Sequence, residues 1–156
     1  MNIQKRGQIW VETVIYTLIG LSLIGLVLAI LTPQIKSFRD KNLIEQTIES
    51  FSELDTKINE VLDAPGNKRK IEFGLTRGNL HFNSIKDRIL WDLENSEIEY
   101  SESGITLKIG RINVTTTEFG DKHKVVLDMA YNHNITFDGS DGVEKIINPR
   151  ITPPTI

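Results

Sequence analysis

The chain passes through three hydropathy regimes. From Ile9 to Leu31 almost every position is apolar or small, and the nineteen residues from Thr13 to Leu31 carry no charge. As a helix they extend roughly 28 Å, close to the hydrocarbon thickness of a bilayer. A soluble helix keeps one face wet, so a run that is apolar all round predicts a membrane span. In the second regime Ile44, Ile48, Phe51, Leu54, Ile58 and Val61 or Leu62 recur at three- and four-residue steps among charged positions. That is the stripe of an amphipathic helix. Only Pro33 interrupts the pattern before Ala64-Pro65-Gly66-Asn67, which predicts one helix from about residue 9 to 63, roughly 80 Å if straight. Pro33 removes a backbone donor and predicts a bend near Ala29–Pro33, and the Pro65-Gly66 pair ends the helix.

After Asn67 the period changes to two. Ile71, Phe73 and Leu75 alternate, then Leu80 and Phe82, then Ile89, Trp91 and Leu93, then Ile98 and Tyr100. Ile105, Leu107 and Ile109 repeat the pattern, followed by Ile112, Val114 and Thr116, by Val125, Leu127 and Met129, and by Ile135 and Phe137. Short alternating runs between turn residues predict antiparallel hairpins or a meander with one face inward. The stripe on the distal helix is the natural cover for that face. The expected fold class is α+β: a long bent N-terminal helix, transmembrane and then amphipathic, packed on a small antiparallel β-sheet domain.

Charge sets the topology. Lys5 and Arg6 precede the span, which places the N-terminus in the cytoplasm and the C-terminal domain outside the cell. Lys36, Arg39 and Lys41 follow the span and oppose that bias in part. The apolar run does not close on a small-residue cleavage site, so it reads as a retained single-pass anchor rather than an ordinary secretory signal. A formal net charge of −3, with no basic stripe interleaved with aromatics, argues against a nucleic-acid partner. The absence of cysteine excludes disulfides, thiolate metal sites and a cysteine nucleophile. His81, His123 and His133 lack metal-ligand spacing. Asp138-Gly139-Ser140-Asp141-Gly142 lacks the alternate acids and closing Glu of a calcium loop and reads as a tight turn. No nucleophile elbow, P-loop or dinucleotide fingerprint is present. The expectation is therefore a protein without catalysis, with no catalytic, cofactor-binding or metal-ligating residue and no cofactor.

The most informative stretch is Lys5-Arg6-Gly7-Gln8-Ile9-Trp10-Val11-Glu12. An acid at the edge of a hydrophobic span is costly and calls for a partner or a task. A basic pair, a glycine and an acid ahead of an apolar helix resemble the class III signal peptide of type IV pilins, particularly the archaeal ones. The resemblance covers the leader, the long helix, and the layout of a helix followed by a β domain. It implies that a prepilin peptidase cuts between Gly7 and Gln8, making Gln8 the first residue and Glu12 the fifth. It further implies that Glu12 faces the terminal amine of a neighbouring pilin subunit in a homo- or hetero-filament. A buried amine and a buried carboxylate offset each other's desolvation, so such a pair also sets register. Cleavage would remove Lys5 and Arg6 and take the formal charge from −3 to −5. Before assembly the partner of the helix is membrane lipid. Trp10 departs from the small hydroxyl residue common in archaeal members. It fits a minor pilin or pseudopilin at least as well as a major one, and it also suits an interfacial anchor.

The organisation that follows is a prepilin-type leader at 1–7, a transmembrane and assembly helix at 8–32, an amphipathic helix at 33–64, an antiparallel β domain at 65–147 and a Pro-rich tail at 148–156. Gly25-x-x-x-Ala29 lets helices approach closely, which suits subunit packing and is equally ordinary in membrane helices. Asn113-Val114-Thr115 and Asn134-Ile135-Thr136 are glycosylation sequons. Two functions fit this sequence best, ahead of a weaker third reading in which the β domain is an enzyme tethered to the membrane. One is a type IV pilin-like surface filament subunit or minor pilin for adhesion or attachment. The other is a single-pass, membrane-anchored extracellular protein that binds a ligand or partner and does not polymerise.

Overall fold

A computed structural model describes the backbone of residues 4–149 and the side chains from residue 10 on. The first three residues of the expected leader, and 150–156 of the expected tail, lie outside the described residues. Among the described residues one helix, α1 (Gln4–Asp63), precedes six strands: β1 (Asn79–Asn83), β2 (Arg88–Ser96), β3 (Thr106–Ile109), β4 (Ile112–Phe119), β5 (Lys122–Ala130) and β6 (Glu144–Ile147). The strands form a single sheet in the order β3-β4-β5-β2-β1-β6, antiparallel at every pairing. The α+β layout is the expected one. The chain separates into two compact units, Met1–Phe38 and Arg39–Ile156.

In the first unit the apolar helix has no cover. Its most apolar stretch has not one buried residue, and the helix is long and apolar enough to cross a membrane. Several of its serine and threonine hydroxyls are satisfied locally. Thr17 donates to the Thr13 carbonyl at 2.8 Å, Ser22 to Leu18 at 2.8 Å and Thr32 to Leu28 at 2.6 Å. A hydroxyl bonded to its own helix one turn back has no need of water, which is how polar residues persist in such a segment. The helix continues through Pro33.

In the second unit α1 lays its stripe on the sheet. Ile44 and Phe51 are fully buried and Ile48 nearly so, while Leu43, Leu54 and Ile58 are half-buried against them. The facing residues are the inward positions of the strands. Leu80 lies opposite Trp91, Trp91 opposite Leu127 and Leu127 opposite Val114, so one row of the core crosses four strands. Fully burying a side chain of this size contributes about 1.5–3 kcal/mol, and alternation along each strand delivers it to a single face. Two-residue loops, Gly110-Arg111 and Gly120-Asp121, join β3 to β4 and β4 to β5. These are the shortest hairpin connections and they fix the register.

Three of the expected strands are not strands. Ile71, Phe73 and Leu75 do alternate in burial, but their segment lies along α1 instead of joining the sheet. Phe73 meets Phe51 edge to face with ring centroids 5.7 Å apart, and Arg69 reaches Glu60 at 3.0 Å. β1 already has β2 on one side and β6 on the other, so this arm finds no free ladder there. The Ile98–Tyr100 segment follows a bulge between Leu93 and Ser96. It is held by side chains: Ser101 N–H donates to the Thr116 hydroxyl at 2.9 Å, and Thr116 N–H donates to the Ser101 hydroxyl at 2.9 Å. In the Ile135–Phe137 segment, Ile135 N–H donates to the Asp87 carboxylate at 2.9 Å and Phe137 makes a lone bridge with Ser140. Conversely, β6 is a strand that alternation missed, because all four of its residues are exposed.

Candidate functional site

The apolar segment of α1 carries one acid. Glu12 is exposed on the helix surface and makes no hydrogen bond or ion pair among the described residues. Trp10 and Tyr16 flank it, each 72% exposed. The Gly7–Gln8 bond lies within the helical backbone of α1, and the side-chain placement of both residues is outside the described residues. Further along, a methyl group added at Gly20 or Gly25 meets nothing within 4 Å. The chain's own packing therefore does not require these glycines. With exposed Ala29 one turn on, Gly25 leaves a shallow face that another helix can approach. Chemically, a carboxylate on an apolar surface is tolerable in water or a headgroup layer. It becomes expensive once covered, unless the covering partner brings a cation.

The two sequons differ in access. Asn113 lies on β4 between Lys108 of β3 and Asp128 of β5, half-buried on the face away from the core. Asn134 is exposed in the segment after β5, and its amide donates to Asp141 at 3.1 Å. Downstream, Asp138 and Gly139 both take positive φ between the paired Phe137 and Ser140, which is a tight turn of type I′ character. The histidines are scattered. His81 Nε2 lies 2.5 Å from Asp92 and its Nδ1 3.6 Å from Glu144, while Lys124 sits 2.8 Å from Glu94 and 3.7 Å from Asp92. The hydrogen bond to Glu94 is the main reason the Lys124 ammonium is held above its ordinary range. This network ties β1, β2, β5 and β6 across the outer face. Among the described residues no group of three histidines or acids is placed to hold a metal ion.

Three features went unread in the sequence. Asp40 is 2% exposed; its carboxylate accepts from the Arg77 guanidinium and from the Glu97 backbone N–H, the latter at 2.8 Å. A signal existed: Asp40 stands four residues before Ile44, so the apolar stripe extrapolates onto an acid. Next to Arg77, Gly78 is pressed against Trp91, whose indole N–H donates to the Arg77 carbonyl at 3.1 Å. Finally, a groove of about 480 Å³ opens between Leu54, Ile58 and Leu62 of α1, Phe82 of β1, and the chain from Tyr131 to Asp138. At its base burial, reinforced by Asp55, pushes the Tyr131 hydroxyl well above its ordinary range, and Arg111 lies 4.8 Å over the Tyr131 ring. Comparison with protein-family models, characterised proteins and solved structures finds no match.

Proposed function

We propose that the protein is a type IV pilin-like subunit of the archaeal kind, acting in a surface filament or as a minor pilin in adhesion or attachment. In this reading the helix from Gln8 first sits in the membrane, N-terminus in the cytoplasm and β domain outside. It then leaves lipid to pack against the helices of other subunits. The work is structural and involves neither catalysis nor a cofactor. The observation that carries the proposal is an apolar helix exposed on every side, bearing a single unpartnered acid near the Gly7–Gln8 bond. A span that served only as an anchor gains nothing from Glu12, whereas a span that must find a register in a bundle gains a polar mark. The test is Glu12→Ala in cells that carry the prepilin peptidase. The proposal predicts normal cleavage with loss of filament incorporation. Unchanged incorporation would sink it.

The Tyr131–Asp138 groove favours a second reading, a membrane-anchored receptor or adhesin that never polymerises. It is mostly apolar with a few polar groups, His133, Asn134 and Asp138, which is the usual make-up of a ligand pocket. Under that reading Glu12→Ala leaves function intact and substitutions around the groove abolish it.

A further inference from the structure

The end of the β domain at which α1 enters it carries a polar cleft of about 350 Å³. Arg39, Asn42 and Gln46 line it from one face of α1, at helical spacing of three and four, and Thr76 and Arg77 close it from the arm that precedes β1. Two arginines therefore border one small space. Arg77 spends one nitrogen on buried Asp40 and keeps about half of its side chain exposed, with a side-chain exposure of 49%. Asp40 is in turn committed to Arg77 and to the Glu97 N–H, and Glu97 is itself held by Lys122 at 2.5 Å. Arg39 has no ion pair or side-chain hydrogen bond among the described residues. The cleft is thus bordered by one arginine without a partner and by Asn42, Gln46 and Thr76, whose side chains carry amide and hydroxyl donors. Planar guanidinium groups with flanking neutral donors are the donor set that suits phosphate oxygens.

Chain position says where that phosphate comes from. Arg39 follows Leu31, the last residue of the uncharged run, by eight residues. Eight residues span at most about 28 Å in any conformation, so the cleft stays within chain reach of a lipid headgroup. The β4–β5 hairpin tip adds an independent sign. Lys122 at its base holds Glu97, whose backbone binds Asp40, so the tip lies at this same end of the domain, and it presents Phe119 44% exposed. An exposed aromatic beside basic groups suits a membrane–water boundary.

We propose that the Arg39–Arg77 cleft binds the phosphate of an anionic lipid headgroup. This rests on reading the apolar helix as membrane-inserted. The test uses the full chain in a neutral maltoside detergent. Short-chain phosphatidylglycerol and phosphatidylcholine are titrated by calorimetry into the wild type and into Arg39→Gln, Arg39→Lys and Lys41→Gln. Lys41 lies on the far side of the helix and pairs with Glu45 at 3.9 Å. Phosphatidylglycerol should bind at least about tenfold tighter than phosphatidylcholine, Arg39→Gln should remove that preference, and Arg39→Lys should restore part of it. Lys41→Gln should leave it unchanged, and millimolar inorganic phosphate should not displace the lipid. Equal binding of the two lipids, or equal losses in Lys41→Gln and Arg39→Gln, would overturn the site. Displacement by inorganic phosphate would overturn the lipid as its source. Alkaline carbonate extraction of membranes separates the two layers of inference. Release of the wild-type chain defeats the membrane reading, whereas retention without lipid selectivity defeats the cleft alone.

Discussion

Replacing Gly78 with alanine tests how the arm is locked onto the sheet. Gly78 has φ +78°, and a methyl group there would stand 2.5 Å from the Asp92 carbonyl oxygen and 2.6 Å from Cε2 and Nε1 of Trp91. Neither neighbour yields easily, since one is strand backbone and the other a fully buried indole bonded to Arg77. Three terms add. A left-handed conformation costs alanine about 1–2 kcal/mol. Overpacking a filled core costs about 1–3 kcal/mol. Loss of the indole hydrogen bond costs about 0.5–1.5 kcal/mol. Gly78→Ala should therefore destabilise the domain by about 2.5–6.5 kcal/mol, a large share of a typical total of about 5–15. Gly104 supplies the control, with φ +79° and open space where its methyl would go. Gly104→Ala carries the conformational term alone, about 1–2 kcal/mol. The assay is urea unfolding of the full chain in neutral detergent, followed by fluorescence in a Trp10→Phe background so that Trp91 is the remaining tryptophan. Equal costs at the two glycines would refute the close approach of Gly78 to Trp91.

Two further outcomes follow from the β domain. Burial raises the Tyr131 hydroxyl above its ordinary value of 10.0, with Asp55 adding to the effect. A group whose folded pKa is raised contributes fully below its unfolded pKa and loses that contribution as pH rises. Stability should therefore fall above about pH 10, and Tyr131→Phe should flatten that fall in thermal unfolding measured against pH. An unchanged slope would show that the hydroxyl is not buried. In a host that glycosylates sequons, intact-mass spectrometry should find a glycan that Asn134→Gln removes and Asn113→Gln does not. Modification at Asn113 would contradict the half-buried position of that residue between β3 and β5.

The parts of this fold that were legible in the sequence are those in which one residue period governs one surface. The stripe from Ile44 to Ile58 and the alternation in Ile89–Leu93, Ile112–Thr116 and Val125–Met129 each answer to burial on a single face, and each lies where it was expected. Alternation reports burial, not ladder bonding. Ile71, Phe73 and Leu75 alternate because an extended arm has one side on α1, and β6 shows no alternation because neither of its sides is covered. The Asp40–Arg77 pair was illegible for a different reason. Its partners are 37 residues apart, and only the fold brings an acid on the stripe to the one arm that can neutralise it. The N-terminal region is the reverse case. Its motif is clear in the residues, yet the function proposed for it would require a peptidase and other subunits, neither of which a single chain contains.

The identity of the first residue of the protein taken from cells tests the central proposal most directly. Mass spectrometry of the N-terminal peptide, from native membranes or after coexpression with an archaeal prepilin peptidase, should find a chain that begins at Gln8 and has lost Met1–Gly7. A chain that still carries Lys5, Arg6 and Gly7 in the presence of active peptidase would contradict the account. It would leave Glu12 as an acid in a simple anchor.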